Sequence, residues 1–341
     1  MIGSLRQRTY ASSGSAIDVD IIQTIKRTVL FAIWATLSVA AGQQWFGPSP
    51  DLVNYLAFYN TITPYFDFSG SRFEYGFQFL SWLWAGLGLG YPSLFVLMAA
   101  FSLGCKFYLF DKYLASPILA AISYILGFYL LHEYTQIRAA VGISFALLSA
   151  HSLINRKILP FFIFAIAGLL FHYSTIAIPL VVVASRYFKG RAVIGLGAVA
   201  LIAGSAFLPT IQDLIVDLFS SLNPLTSAYV YNDQNIEVAN IFSFASITML
   251  GIILWSLADL RTLESDYLRT FFALVLLSYV SLVLLRDSLE LALRLRDALA
   301  VGVVFLVFRE PLSIRNLPLV FLWFAGATYL FYGYSTTQVL I

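Results

Sequence analysis

The chain has 341 residues, of which 60% are hydrophobic and only 11% charged, with a mean hydropathy of +0.83. Soluble domains are about 25% charged, so the composition excludes one and implies an integral membrane protein. The net charge of +2 points to neither nucleic acid nor a strongly acidic partner, and a single cysteine, Cys105, excludes an intramolecular disulfide and a cysteine metal site.

Residues 1–27 are polar, with Arg6, Arg8, Lys26 and Arg27 ahead of the first apolar run, and read as a cytoplasmic segment. "SVAAG" at 38–42 loosely resembles a signal-peptidase site, but retention of the segment is expected. Residues 28–341 read as one transmembrane domain. Apolar runs near the ~20 residues that cross a bilayer predict helices at 28–46, 93–110, 117–131, 135–154, 158–173, 174–188, 192–208, 241–258, 268–286, 291–308 and 317–336. The runs lack the alternation of an outer-membrane barrel, so the expected fold is an all-α polytopic bundle of about eleven crossings.

Two stretches between the first and second spans need separate treatment. "DLVNYLAFYN" has apolar residues at 52, 53, 56 and 59, which predicts a helix lying on the interface. "FEYGFQFLSWLWAGLGLG" at 73–90 is long enough to cross but rich in glycine. If it does not cross, fifteen Lys and Arg fall inside and five outside; if it does, the split is eight to twelve. Cytoplasmic loops carry the excess of positive charge. We therefore expect a re-entrant or tilted outer-leaflet helix here, with outer excursions at 47–92 and 209–240.

On that topology the outer cations are Arg72, Arg138, Arg286, Arg294 and Arg296, with no lysine. Arginine offers an always-charged planar fork that matches phosphate oxygens. Arg138 follows His132, Glu133 and Gln136, and its alternatives are snorkelling to the interface or pairing with Glu133. Glu74 is flanked by aromatics that would raise its pKa toward a useful range for taking a proton; the alternative is pairing with Arg72 or Arg138. In "FHYSTIAIP", His172 is a candidate base or phosphate donor, or a packed residue, and Pro179 can bend the next helix. In "RDSLELALRLRDALA", Arg286, Asp287, Glu290, Arg294 and Asp297 stand at pairing distances, whereas Arg294 and Arg296 project on different faces. Only three histidines exist, His132, His151 and His172, and neither HExxH nor a P-loop is present, so a histidine-rich metal site is not expected; a carboxylate-bound divalent ion stays open, without a DxD signature.

These pieces, in this order, resemble the EpsG-like branch of the Wzy-type O-antigen and exopolysaccharide polymerases. That family's pattern shows an Asp-Tyr stretch, Phe-Glu-Pro-Gly-Phe, Gln-Ile-Arg-Gln, His-x-Ser and a late arginine-bearing helix. Here they are "DLVNY" at 51–55, "FEYGF" at 73–77, "QIRAAVG" at 136–142, "FHYST" at 171–175 and "LRLRD" at 293–297. Tyr75 replaces the proline and Ala139 the second glutamine, so roles resting on those positions do not carry over.

The resemblance implies a GT-C-type membrane glycosyltransferase in the bacterial inner membrane that needs no metal or other cofactor. Its activity would be transfer of a growing glycan from undecaprenyl diphosphate to the next lipid-linked repeat unit, at the periplasmic or external face. Arg138 and Arg294, with Arg296 as the alternate and Gln136 and Ser174 beside them, would hold the diphosphate. Glu74 or His172 would be the base, with Glu74 preferred. Asp51 would contact sugar, as would Tyr229, Tyr231, Asn232 and Gln234 in a loop rich in aromatics and amides, unless those tyrosines simply sit at headgroup depth. The expected partners are the lipid-linked donor and acceptor and membrane lipid, with room for a chain-length regulator and a flippase, and no nucleic acid. Two other classes remain. An exporter or flippase of lipid-linked sugars would want midplane charges, and none is evident in the sequence; an outer-face acyltransferase would want a histidine base.

Overall fold

The structure is a computed structural model that describes residues 16–63, 65, 71, 73–187, 194, 196–197, 199–200, 240, 242–259, 265–285 and 289–339. The expected sugar contacts Tyr229, Tyr231, Asn232 and Gln234 lie outside them, as do Arg72, Arg286, Asp287 and most of the predicted span 192–208.

The described chain is helical from α1 (Ala16–Gln43) onward. Six helices are long and apolar enough to cross a membrane. These are Asp20–Gln43 within α1, α4 (Tyr91–Tyr113), the combined Pro117–Thr135, α6 (Ile137–Ile154), α10 (Asp266–Leu284) and Leu317–Thr336 within α13 (Leu317–Val339). At 1.5 Å per residue their 18–24 residues cover roughly 27–36 Å, against a hydrocarbon core of about 30 Å. Shorter apolar helices follow the other predicted runs: α7 (Ile158–Phe171), the segment Tyr173–Tyr187 containing α8 (Ala177–Tyr187), and α9 (Phe244–Ala258).

Three expectations are corrected. The run predicted as a single span at 291–308 is two pieces, α11 (Leu289–Ala300) and α12 (Gly302–Val307), interrupted at Val301. A continuous apolar helix is not available there, because Arg294, Arg296 and Asp297 occupy its first half. The span predicted to stop at 131 continues: α5 (Pro117–Tyr124) passes directly into a π-helix, Ile125–Thr135, which carries His132 and Glu133 into the interior rather than leaving them in a loop. Finally α2 (Leu52–Asn60) buries Leu52 and Tyr55 and leaves Val53 exposed, so its inner face is set by a tyrosine that the apolar count omitted.

α3 (Tyr75–Gly86) has 12 residues and so is only about 18 Å long. It ends at Leu87 and Gly88, the latter at φ +72°, which glycine adopts freely. Its neighbours are α2, α4 and α7. Tight approach to α7 depends on Gly76, where a Cβ would stand 2.7 Å from the Leu170 carbonyl oxygen. The α6–α7 pair is also close at Gly142, where a Cβ would stand 3.1 Å from the Gly168 carbonyl oxygen of α7 and 2.9 Å from Thr175 in the turn that follows.

The helix termini divide the bundle into two ends. Glu74 precedes α3, Arg138 opens α6 and His172 follows α7, so the α6–α7 hairpin brings the last two together. At the opposite end Lys26 pairs with Asp111 at 2.5 Å, Arg309 with Asp259 at 2.6 Å, and His151 meets the Tyr113 hydroxyl at 2.6 Å.

Candidate functional site

Each element of the site comes to an end where its functional side chain is needed. The π-helix closes with the Gln136 amide donating to the Leu131 carbonyl at 2.8 Å, and Gln136 itself breaks the helical path at φ −96°, ψ 56°. π-Helical turns are costly and concentrate at functional positions. After this break α6 begins, with Arg138 in its first turn. On the other arm α7 ends at His172, whose backbone is extended, and a 3₁₀ turn (Tyr173–Ile176) leads into α8. Pro179 lies in the first turn of α8, where a missing N–H is tolerated, so the bend is made at His172 and not at the proline.

Glu74 joins the two arms. One carboxylate oxygen accepts from Arg138 Nη1, and the other lies 3.0 Å from His172 Nδ1. The Arg138 guanidinium is also caged by aromatic rings, its Cζ standing 4.6 Å from the centre of Phe73, 5.7 Å from Tyr55 and 5.9 Å from Phe77. Cation–π contact of this kind favours the flat arginine head. The Tyr55 hydroxyl lies near enough to the same guanidinium to act on it electrostatically. Two buried polar atoms here find no hydrogen-bond partner among the described residues, Arg138 Nε and Ser174 Oγ.

Glu74 and His172 lie outside the candidate spans. Burial opposes charge on Glu74, but Arg138 and the His172 hydrogen bond outweigh it and hold the carboxyl at about 2. The expected rise is thus reversed, because the arginine was closer than the apolar wall. Burial pushes the His172 imidazole below its ordinary 6.5, against the Glu74 carboxylate, which favours the charged form. A neutral imidazole beside an ionised carboxylate must donate from Nδ1, since the carboxylate only accepts. The lone pair is then on Nε2, and His172, rather than Glu74, has the free basic site.

The other expected residues separate clearly. α11 packs against the 3₁₀ turn after His172 and brings Arg294 near enough for its charge to act on that histidine. Arg296 is engaged with a neighbour: its guanidinium pairs with Asp297 at 2.6 Å. Asp51 caps no backbone amide of α2, and its charge is felt at Tyr55 and Arg138. Gln136 is half-buried at the π-helix terminus.

Glu133, the alternative partner for Arg138, is engaged with a different cation. It pairs with Lys106 at 2.5 Å, both side chains being 0% exposed. Tyr124 donates to its carboxylate at 2.9 Å and Ser102 at 2.8 Å. Lys106, one of the fifteen Lys and Arg that the expected topology places inside, is wholly interior and paired with a carboxylate of the π-helix. Its position within "FSLGCKFYLF", a lone charge inside an apolar run, was the available signal.

A family model, described as the EpsG family, matches residues 27–341. The chain belongs to the EpsG family. EpsG is a family of Wzy-like polymerases, so this chain is a membrane polysaccharide polymerase in general character. No curated protein and no solved structure matches the chain. Of the EpsG-like motifs, "FEYGF", "QIRAAVG" and "FHYST" contribute the three charged or titratable side chains joined at Glu74, and the glycines of the first two permit the helix contacts that join them.

Proposed function

We propose that the chain transfers a growing glycan from undecaprenyl diphosphate to the next lipid-linked repeat unit at the outer face of the inner membrane. The convergence of Arg138, Glu74 and His172 carries this reading. His172 Nε2 takes the proton of the acceptor hydroxyl as its oxygen attacks the anomeric carbon. The bond from that carbon to the diphosphate oxygen breaks, and Arg138 and Arg294 stabilise the departing charge. Glu74 holds the imidazole tautomer and orients Arg138, which makes it a positioning carboxylate. The unpartnered Arg138 Nε and Ser174 Oγ suit phosphate oxygens. A single displacement would invert the anomeric centre. Cations collect at the opposite end of the bundle, which supports placing the Glu74 end outside.

The test is polymerisation of a defined lipid-linked oligosaccharide by the purified protein. Arg138→Lys should lower chain growth by at least about 100-fold while the variant inserts and purifies as the parent does. Undiminished polymer length from that variant would end the diphosphate role.

A further inference from the structure

At the end of the bundle opposite Glu74, three arginines border one notch. Arg156, Arg186 and Arg269 line it with Asp266, Thr270 and Val182. Arg269 is buried, its Nε donating to the Ser185 carbonyl at 2.8 Å and its guanidinium pairing with Asp266; Arg186 donates to the Leu153 carbonyl at 3.1 Å. Arg156 and Arg186 are exposed at the mouth. Among the described residues that line the notch, three arginines stand against one carboxylate, so this lining is net positive. Its volume of about 20 Å³ admits roughly one water-sized group, which suits one oxygen of a phosphate whose remainder stays at the mouth.

A second cavity continues along the same two helices. Val181, Ala184 and Ser185 of α8 and Ala273, Leu276, Leu277 and Val280 of α10 line about 250 Å³ of almost wholly apolar space, closed on its other side by Leu196, Gly197 and Ala200. Going along α10, Arg269 and Thr270 border the notch, and the following turns border the apolar cavity. Polar head space and hydrocarbon space therefore share the α8–α10 seam.

The geometry points to a structural binding site for an anionic phospholipid, its phosphate at Arg156, Arg186 and Arg269 and one acyl chain along α8 and α10. Free phosphate would use the notch and leave the apolar cavity unused. Basic pockets between helices capture anionic headgroups through charge and arginine geometry, and the adjoining apolar cavity specifies that the anion carries a tail.

The experiment is lipid binding by full-length protein in detergent, read by native mass spectrometry and thermal unfolding, with phosphatidylglycerol, phosphatidylcholine and inorganic phosphate as probes. The parent should retain phosphatidylglycerol at least about tenfold more tightly than phosphatidylcholine. Arg156 sits at φ 59°, a conformation that glycine accepts without strain, so Arg156→Gly removes the cation without harming the fold. Combined with Arg186→Gln it should weaken phosphatidylglycerol by about thirtyfold, two basic contacts being lost. Ala184→Phe, which fills the apolar cavity, should weaken both lipids. Equal retention of the two lipids by the parent would overturn the proposal. So would inorganic phosphate that stabilises as well as phosphatidylglycerol does, together with an Ala184→Phe variant that binds normally.

Discussion

Two of the ion pairs among the described residues, Lys106–Glu133 and Arg138–Glu74, are built to different ends. Around Lys106 and Glu133 every contact closes inward: both side chains are 0% exposed, and Tyr124, Ser102 and the Ala140 carbonyl complete the shell. Around Arg138 and Glu74 the arginine side chain keeps 16% exposure, Nε has no partner among the described residues, and His172 presents a basic nitrogen. A charge in a low-dielectric interior must be satisfied, or the group stays high in energy. The first pair meets that demand with the protein alone. The second meets it in part, which leaves capacity for a ligand. Burial of charge by itself therefore does not mark a site; a partly exposed cation with an unpartnered donor atom does.

The largest test of this contrast is His172→Gln, which keeps a hydrogen bond to Glu74 but has no base. Initial rates of chain growth should fall by about 10²–10⁴-fold, with the thermal midpoint little changed. The pH profile adds a sign. His172 works only when neutral, and burial has lowered its pKa below 6.5, so the midpoint of the parent's acidic fall should lie below pH 6.5. In Glu74→Gln the group that favours the imidazolium is gone, and the acidic fall should move to still lower pH on a reduced plateau. A fall centred above 6.5 would show that His172 is not the titrating base.

At the closed pair the expected loss is of stability. Glu133→Gln or Lys106→Met leaves a buried charge without its counter-ion and should cost about 3–5 kcal/mol, whereas Lys106→Met with Glu133→Leu should be nearly neutral. Unfolding in detergent measures all three. If instead the double variant folds normally but no longer extends glycan, the pair belongs to the catalytic machinery and the contrast fails.

How much of this was legible in the sequence follows from what each residue's role depends on. Apolar run length placed the helices, because crossing a bilayer is a local demand that length and composition express directly. The motif residues Glu74, Arg138 and His172 stood out because a charge or imidazole at the end of an apolar run is conspicuous. What stayed hidden depends on distant partners. Glu133 was nearest to Arg138 along the chain, yet the π-helix turns it to Lys106, while Glu74 arrives from 64 residues away. The sign of the Glu74 shift reversed for the same reason. Arg294 and Arg296 were separable by helical face, but only the fold shows Arg296 paired with Asp297 and the helix of Arg294 packed on the turn after His172.

A smaller effect is expected from Gly76, whose missing Cβ lets α3 meet α7 and so brings Glu74 to His172. Gly76→Val should cost about 1–3 kcal/mol through overpacking and should lower polymerisation more than that loss of fold accounts for. The closed pair, on α4 and the π-helix, gives a control: its stability contribution, measured in the same background, should be unchanged.

The smallest expected effect is also the most selective. Tyr55 serves the open pair twice, with its ring 5.7 Å from the Arg138 Cζ and its hydroxyl near enough to act on the guanidinium electrostatically. Tyr55→Phe keeps the ring and removes the hydroxyl, and the loss of one polar contact is worth about 0.5–1.5 kcal/mol. If Arg138 is preorganised for a diphosphate, the cost should appear in the transition state, as a several-fold lower kcat with donor KM nearly unchanged. If the hydroxyl only fills a structural bond, as Tyr124 does for Glu133, the same substitution should lower the unfolding temperature and leave kcat alone. Tyr124→Phe, examined in parallel, should show only that second pattern, because its partner Glu133 is enclosed by protein on every side.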